Sequence, residues 1–293
     1  MVQSRLRFRG CEAFRQPSAA PHSSHLTGLR DRRASTRHSM RCHMRRLSQL
    51  TPVAVAALLI AVWEFGVRAA AVPQFILPAP SVIAVRFAEA WADGTMLRHL
   101  VPTVTEVTVG GLLGGALGLL IGVTLGLSGS ARRVVSPYLV AAQSTPILAL
   151  GPVLVLWLGP GLAAKVAVCA LITLFPVAIS TLVAVRDVDA GTLELMRSLG
   201  ATRWQSLRYA RLPAARSGIL AGARVAATLA VVGAIVGEWL GGTAGLGVLL
   251  NLARGSLFDT PLLFADLLQI AIVGVSAYGL VLLIERVSSK KVA

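Results

Sequence analysis

The residues of this chain able to do chemistry sit in three small groups between long apolar runs. The largest group is ELMRSLGATRWQSLRYARLP, residues 194–213, where Glu194, Arg197, Arg203, Arg208 and Arg211 gather in a short space. So basic and thinly amphipathic a stretch can lie on anionic lipid headgroups; it can also be a knob offered to another protein. A second group, Gln143, Ser144, Thr145 and Pro146, lies in AAQSTPILALGP inside an apolar run. Polar side chains and freed backbone carbonyls persist at membrane depth where they are buried in protein or line a wet cavity. Ser, Thr and Gln also hydrogen-bond between helices, so a wet path and interhelical glue are both open readings. The third group is acidic: Glu64, four residues before Arg68; Glu106; and Glu238, beside Trp239. Glu64 and Arg68 have the order and spacing of a helical ion pair, and Trp239 is expected to anchor at an interface. Glu106 and Glu238 are expected near the ends of their apolar runs. Snorkelling to water is the plain reading for both, and a place along a solute path is the alternative.

The motifs of common enzymes are missing. There is no GxxxxGK[ST], HExxH, GxSxG or CxxC, and GPGLAA at 159–164, a near-match to a dinucleotide fingerprint, follows an apolar run with no strand signal. Without a P-loop the chain is not expected to hydrolyse ATP, and no catalytic residues are assigned. Cys11, Cys42 and Cys169 are too few and too scattered for a disulfide framework or a metal site, so no metal and no bound cofactor are expected. A net charge of +15 would ordinarily raise nucleic acid as a partner. Here residues 1–48 hold eleven Arg against Glu12 and Asp31, and most other basic residues fall in short gaps between apolar runs. Aromatic residues are 5% of the chain and do not interleave with basic ones, which argues against a nucleic-acid surface.

The elements that must carry these groups are membrane helices. The chain of 293 residues is 55% hydrophobic and 14% charged, and its mean hydropathy of +0.72 lies above the range of soluble domains. About 20 apolar residues cross a bilayer core, and six windows satisfy this: roughly 50–71, 102–127, 136–158, 163–185, 217–240 and 261–284. The expected fold class is all-α, a polytopic membrane protein with about six transmembrane helices. Arg132 and Arg133, the Arg-rich segment 186–216, and Arg286, Lys290 and Lys291 fall on the same side as the basic N-terminus. By the positive-inside rule that side is cytoplasmic. Segments 72–101, 159–165 and 241–260 then face outside, and both termini of this multi-pass cell-membrane protein are expected in the cytoplasm. Residues 1–48 carry almost no apolar periodicity and read as a disordered basic extension. Met1, Met40 and Met44 are alternative starts. A cleaved signal peptide is the weaker reading, because the apolar run continues to about Ala71. Residues 49–293 read as one transmembrane domain.

Two local patterns add detail. Gly110, Gly114, Gly118, Gly122 and Gly126 recur every four residues, with Gly111 and Gly115 beside them, a strip that lets another helix approach closely. In the polar insert, Asp189 is a suitable N-cap for a helix over about 190–199 that places Leu193, Met196 and Leu199 on one side. Gly200 is placed to end that helix in the left-handed conformation. Thr202-Arg203-Trp204-Gln205 has the form of a capping box that starts a second helix, presenting Trp204, Leu207 and Arg211 on neighbouring turns. Pro213 is expected to end or kink it.

The register E-x5-G-x11-L-P, set by Glu194, Gly200, Leu212 and Pro213, resembles the EAA signature of permease subunits of bacterial ATP-binding-cassette importers. Leu195 and Met196 stand where that signature has alanines. FILPAPSVIAVRFAEAW, STPILALGPVLVLWLGPG, LFPVAISTLVAVRDVD and GGTAGLGVLL are similar to the nitrate, sulfonate and taurine branch of these binding-protein-dependent permeases. The resemblance covers about residues 50–287. It implies a type I importer permease fold in which segment 187–213, between the fourth and fifth spans, is a cytoplasmic pair of coupling helices docking on a separate ATP-binding-cassette ATPase that uses the ATP. Leu193, Glu194, Met196, Arg197, Leu199, Gly200, Arg203, Trp204, Leu212 and Pro213 are the coupling residues implied. Gln143, Ser144, Thr145, Pro146 and Glu238 are candidates for the translocation path. The implied partners are the ATPase, an extracytoplasmic solute-binding protein, a second copy of the permease in a homodimer, and membrane lipids. The implied solute is a sulfonate, nitrate, taurine or similar small anion, with a vitamin or pyrimidine precursor as the alternative. An autonomous secondary transporter would be expected to show more spans and an internal repeat; a membrane receptor or scaffold remains a further alternative.

Overall fold

The computed structural model describes residues 52–144 and 146–289. The chain divides into two units, Met1–Ala61 and Val62–Ala293. In the first, the described residues 52–61 are helical with every side chain exposed. The expectations for residues 1–48 and for the three candidate starts lie outside the described residues, as does Thr145.

Among the described residues the secondary structure is entirely helical. Five helices are long and apolar enough to cross a membrane: Pro52–Ala69 (α1), Thr95–Leu127 (α3), Leu162–Arg186 (α6), the continuous run Arg203–Gly241, and the helix beginning at Thr260. They correspond to five of the six predicted windows. The remaining window, 136–158, is divided into α4 (Gly129–Ser144) and α5 (Ile147–Leu158). Pro146 causes the break: its backbone is extended, with φ −66° and ψ 112°, it has no N–H to donate, and it disfavours helical geometry in the residue before it.

The second unit is organised around α6. α3 lies along one side of it, and the Gly110–Gly126 strip explains how close the approach is. A methyl group on Gly110 would stand 2.5 Å from the Cβ of Cys169, and one on Gly118 would stand 2.5 Å from the carbonyl of Leu174. On a neighbouring face α6 packs along α9 (Leu212–Gly241), again through small residues, with Gly222 against Ser180 and Gly233 against Cys169. The apolar side chains that face away from these seams stay exposed, Leu112 and Val275 among them, as expected of surfaces that meet lipid or another chain.

A second core gathers at one end of the bundle. Met96 of α3, Ile235 of α9, Leu246 and Leu249 of α10 (Leu246–Arg254) and Leu262 of α11 (Thr260–Ser289) are buried together with Ala90 of α2 (Pro80–Ala92). Arg86 on α2 pairs with Asp259 at 2.8 Å, just before α11, and that carboxylate holds the Arg86 guanidinium above its ordinary pKa. The predicted helical pair at Glu64 and Arg68 is present, and both side chains also bond to Ser81. At the other end of the bundle lie α7 (Ala190–Ser198) and α8 (Arg203–Ser206), between α6 and α9.

Candidate functional site

The polar insert is built by local chemistry that its sequence announces. Asp189 caps α7 by accepting from the Thr192 N–H at 2.9 Å. Gly200 has φ +70°, a conformation that glycine adopts without the Cβ clash other residues meet. The Thr202 hydroxyl accepts from the Gln205 N–H while the Gln205 side chain accepts from the Thr202 N–H at 2.8 Å, a complete capping box. The two helices therefore meet at a fixed elbow. Leu193 and Met196 are half-buried, whereas Glu194, Arg197 and Arg203 are exposed and Leu199 and Trp204 are largely so, at 72% and 65%. The predicted shared apolar side of α7 is thus divided: two residues turn inward and Leu199 outward.

Pro213 does not end the second helix, one of the two outcomes expected of it. α8 runs through a wide π turn, Leu207–Arg211, straight into α9, with Leu212 N–H bonded to Leu207 O. The wide turn moves the hydrogen-bond ladder out of its i to i−4 register, so the donor that proline lacks is not missed. Leu212 and Pro213 open α9. Leu207 is buried rather than presented, and Arg211 donates to the carbonyl of Val185, near the end of α6, at 3.3 Å. That bond ties the insert to the end of α6.

The opposite end of the bundle holds a cluster of polar groups. Glu106 and Glu238 do not snorkel: each is 1% exposed. Lys165 of α6 donates to Glu106 at 2.9 Å and to the carbonyl of Ala244 at 3.1 Å. Glu238 accepts from the Thr103 hydroxyl and the Gly247 N–H, and Thr103 Oγ1 in turn accepts from the Leu246 N–H at 2.8 Å. His99 Nδ1 lies 2.8 Å from Gly245 O and 3.2 Å from Gly245 N. Asp266 on α11 is fully buried, and neither of its carboxylate oxygens has a partner among the described residues. A buried charge requires a partner, so the snorkelling reading failed where a lysine lay within reach across the α3–α6 seam. Lys165 and Asp266 were the readable signals, since both lie within apolar windows; Thr103 and His99 carried none.

The other path candidates are dispersed. Gln143 and Pro146 are exposed at the α4–α5 break, away from Glu238, and Ser144 ends α4. A separate groove of about 950 Å³ runs between α3, α9 and α11, lined by residues including Gly111, Gly115, Ala230 and Val273, with Thr108, Gln269 and Ser276 as its polar groups. No group of His, Cys, Asp and Glu among the described residues is arranged to hold a metal ion. Cys169, buried on α6, bonds to Ala230 O at 3.3 Å, and GPGLAA is the turn from α5 into α6.

Long apolar helices packed through glycine seams, with a stiff polar elbow mounted at one end, define a polytopic membrane bundle. The sequence pattern of the family described as binding-protein-dependent transport system inner membrane component matches residues 114–290. The chain belongs to this family, and it is the permease subunit of an ATP-binding-cassette importer. It is 40% identical over 234 residues to the riboflavin transport system permease protein RibX of Chloroflexus aurantiacus, covering 78% of this chain and 85% of RibX. It is 32% identical over 242 residues to the putative aliphatic sulfonates transport permease protein SsuC of Bacillus subtilis, covering 83% of this chain and 87% of SsuC. The fold is also that of the inward-facing MetNI methionine ABC transporter, with a TM-score of 0.57 and 23% identity over 64% of this chain and 92% of that one.

Proposed function

We propose that segment 187–213 is the docking site for a separate cytoplasmic ATPase, and that two copies of this chain enclose the translocation path. The observation that carries this reading is the insert itself. Leu195, Leu199 and Trp204 stand exposed beside Glu194, Arg197 and Arg203, on two helices whose caps and elbow are fixed. Apolar and charged groups left open on a rigid mount suit a groove in another protein. Gly200 sets the angle; Leu193, Met196, Leu212 and Pro213 join the insert to the bundle. ATP is bound and hydrolysed by the partner; this chain binds no cofactor and catalyses no reaction.

With the insert in the cytoplasm, both termini are cytoplasmic, and the polar cluster around Glu238 faces outside, where an extracytoplasmic solute-binding protein docks. The break at Gln143–Pro146 borders the path. The exposure of Gln143 and Pro146 in a single chain suits a second copy completing it, and exposed Trp157 and Leu156 on α5 support that pairing. The solute is a small molecule. The 40% identity to a riboflavin permease favours a nitrogen heterocycle of the vitamin type, and the 32% identity to a sulfonate permease supports the anion reading.

Two measurements test this. The solubilised chain, expressed with its neighbouring genes, should retain an ATPase through affinity purification. Gly200→Pro, which imposes φ near −65° where the chain has +70°, should release that ATPase and abolish uptake. An intact complex with wild-type uptake in the variant would refute the docking assignment. Uptake of labelled riboflavin against labelled taurine separates the two solute classes.

A further inference from the structure

The loop between α9 and α10, Gly242-Thr243-Ala244-Gly245, and the first two residues of α10, Leu246 and Gly247, have one hydroxyl and no charge of their own. Their place is determined by others. Ala244 O is held by Lys165, Gly245 by His99, Leu246 N–H by Thr103 and Gly247 N–H by Glu238, so consecutive backbone groups are bonded to side chains on α6, α3 and α9. A side chain at Gly245, where φ is +134°, would run into the Glu238 carboxyl, so loop and acid fit with no slack. Among the described residues, the Lys165 ammonium is the group that joins this loop to α6, and Glu106 holds it there.

α6 is one unbroken helix from Leu162 to Arg186. Its far turn receives Arg211 from the insert, and the 20 residues from Lys165 to Val185 span about 30 Å at the usual rise. The polar insert and the buried cluster around Lys165 therefore sit at the two ends of one rod. We propose that Lys165 is a positioning residue that makes the Gly242–Gly245 loop follow α6 as well as α9, whose continuous run Arg203–Gly241 already joins the insert to the loop, so that the Lys165–Ala244 bond sets how the loop responds when the insert moves α6 against α9. This rests on the importer reading, which supplies the motor and the orientation. Lys165 itself touches neither the motor nor, on this proposal, the solute.

The test uses the permease with its ATPase in lipid nanodiscs. A nitroxide is placed at Thr243, the exposed residue of the loop, as Thr243→Cys with Cys11, Cys42 and Cys169 replaced by Ser. Its mobility is read without nucleotide and after trapping with ATP and vanadate, and trapping is scored independently by the nucleotide retained on the ATPase. The label should change mobility at least twofold on trapping in the otherwise native chain and in Lys165→Arg. In Lys165→Met/Glu106→Gln, which removes both charges of the ion pair together, the change should fall below half of that, with nucleotide trapping retained. Lys165→Gln/Glu106→Gln serves the same purpose if the Met variant does not accumulate. A full response of the label in the double variants overturns the proposal, and so does an unresponsive label in the native chain when nucleotide is trapped. If no ATPase binds the chain, the importer reading has failed and the proposal falls with it.

Discussion

Gly118 and Gly115, three residues apart on α3, should respond to the same substitution with opposite signs. A methyl group on Gly118 would stand 2.5 Å from Leu174 O and 3.1 Å from Ala178 N, whereas one on Gly115 would meet nothing within 4 Å. Ordinary contact begins near 3.4 Å, so the Gly118 methyl is about 0.9 Å too close to a carbonyl that belongs to the α6 backbone and cannot rotate away. Ala for Gly within a helix is worth about 1 kcal/mol at both positions. Overpacking costs about 1–3 kcal/mol, and contact with backbone rather than a flexible side chain puts Gly118 at the upper end. Gly118→Ala should therefore lose about 2 kcal/mol and Gly115→Ala gain up to about 1 kcal/mol. Thermal unfolding in detergent can be followed through Cys169, which is buried on α6, with Cys11 and Cys42 replaced by Ser and a fluorogenic maleimide present. At about 2–4 °C per kcal/mol for a domain of this size, the two midpoints should differ by about 6–12 °C. Equal midpoints, or a Gly118→Ala protein more stable than Gly115→Ala, would refute the close backbone approach of α3 to α6.

Two further outcomes are expected. Lys165→Met should cost about 3–5 kcal/mol by leaving Glu106 buried and unpaired, and adding Glu106→Gln should recover most of that loss; the same unfolding assay reads both, and additive effects would contradict the ion pair. Asp189→Ala removes the cap on α7 and should cost about 1 kcal/mol of local stability, seen as faster amide hydrogen exchange over 190–198. Exchange there at the native rate would mean that the insert's order comes from elsewhere.

Much of this molecule was legible before any tertiary contact was known, and the legible parts share a cause. Apolar run length sets membrane helices because a bilayer has no water to satisfy a bare backbone, and five of the six windows are single helices. Asp189, Gly200 and the Thr202–Gln205 box act within four residues of chain, so their roles depend on neighbours that the sequence itself lists. Pro146 breaks the remaining window for the same local reason. The register that resembles the importer signature, together with these caps, pointed to the family to which the chain belongs.

What the sequence could not decide were relations between groups far apart in the chain. Glu106 and Lys165 are 59 residues apart, and Thr103 and Glu238 are 135; nothing in either neighbourhood says that they meet, so the acids read as snorkelling to water. Pro213 read as a helix end or kink because a proline's local cost is visible, and the π turn beside it, through which the helix continues, is not. Sequence by itself determined the spans, the glycine strip and the jointed insert, since spacing along one chain is enough to specify them. Only the tertiary structure decided where the buried charges find partners, because a low-dielectric interior makes each charge depend on whichever helix is packed against it.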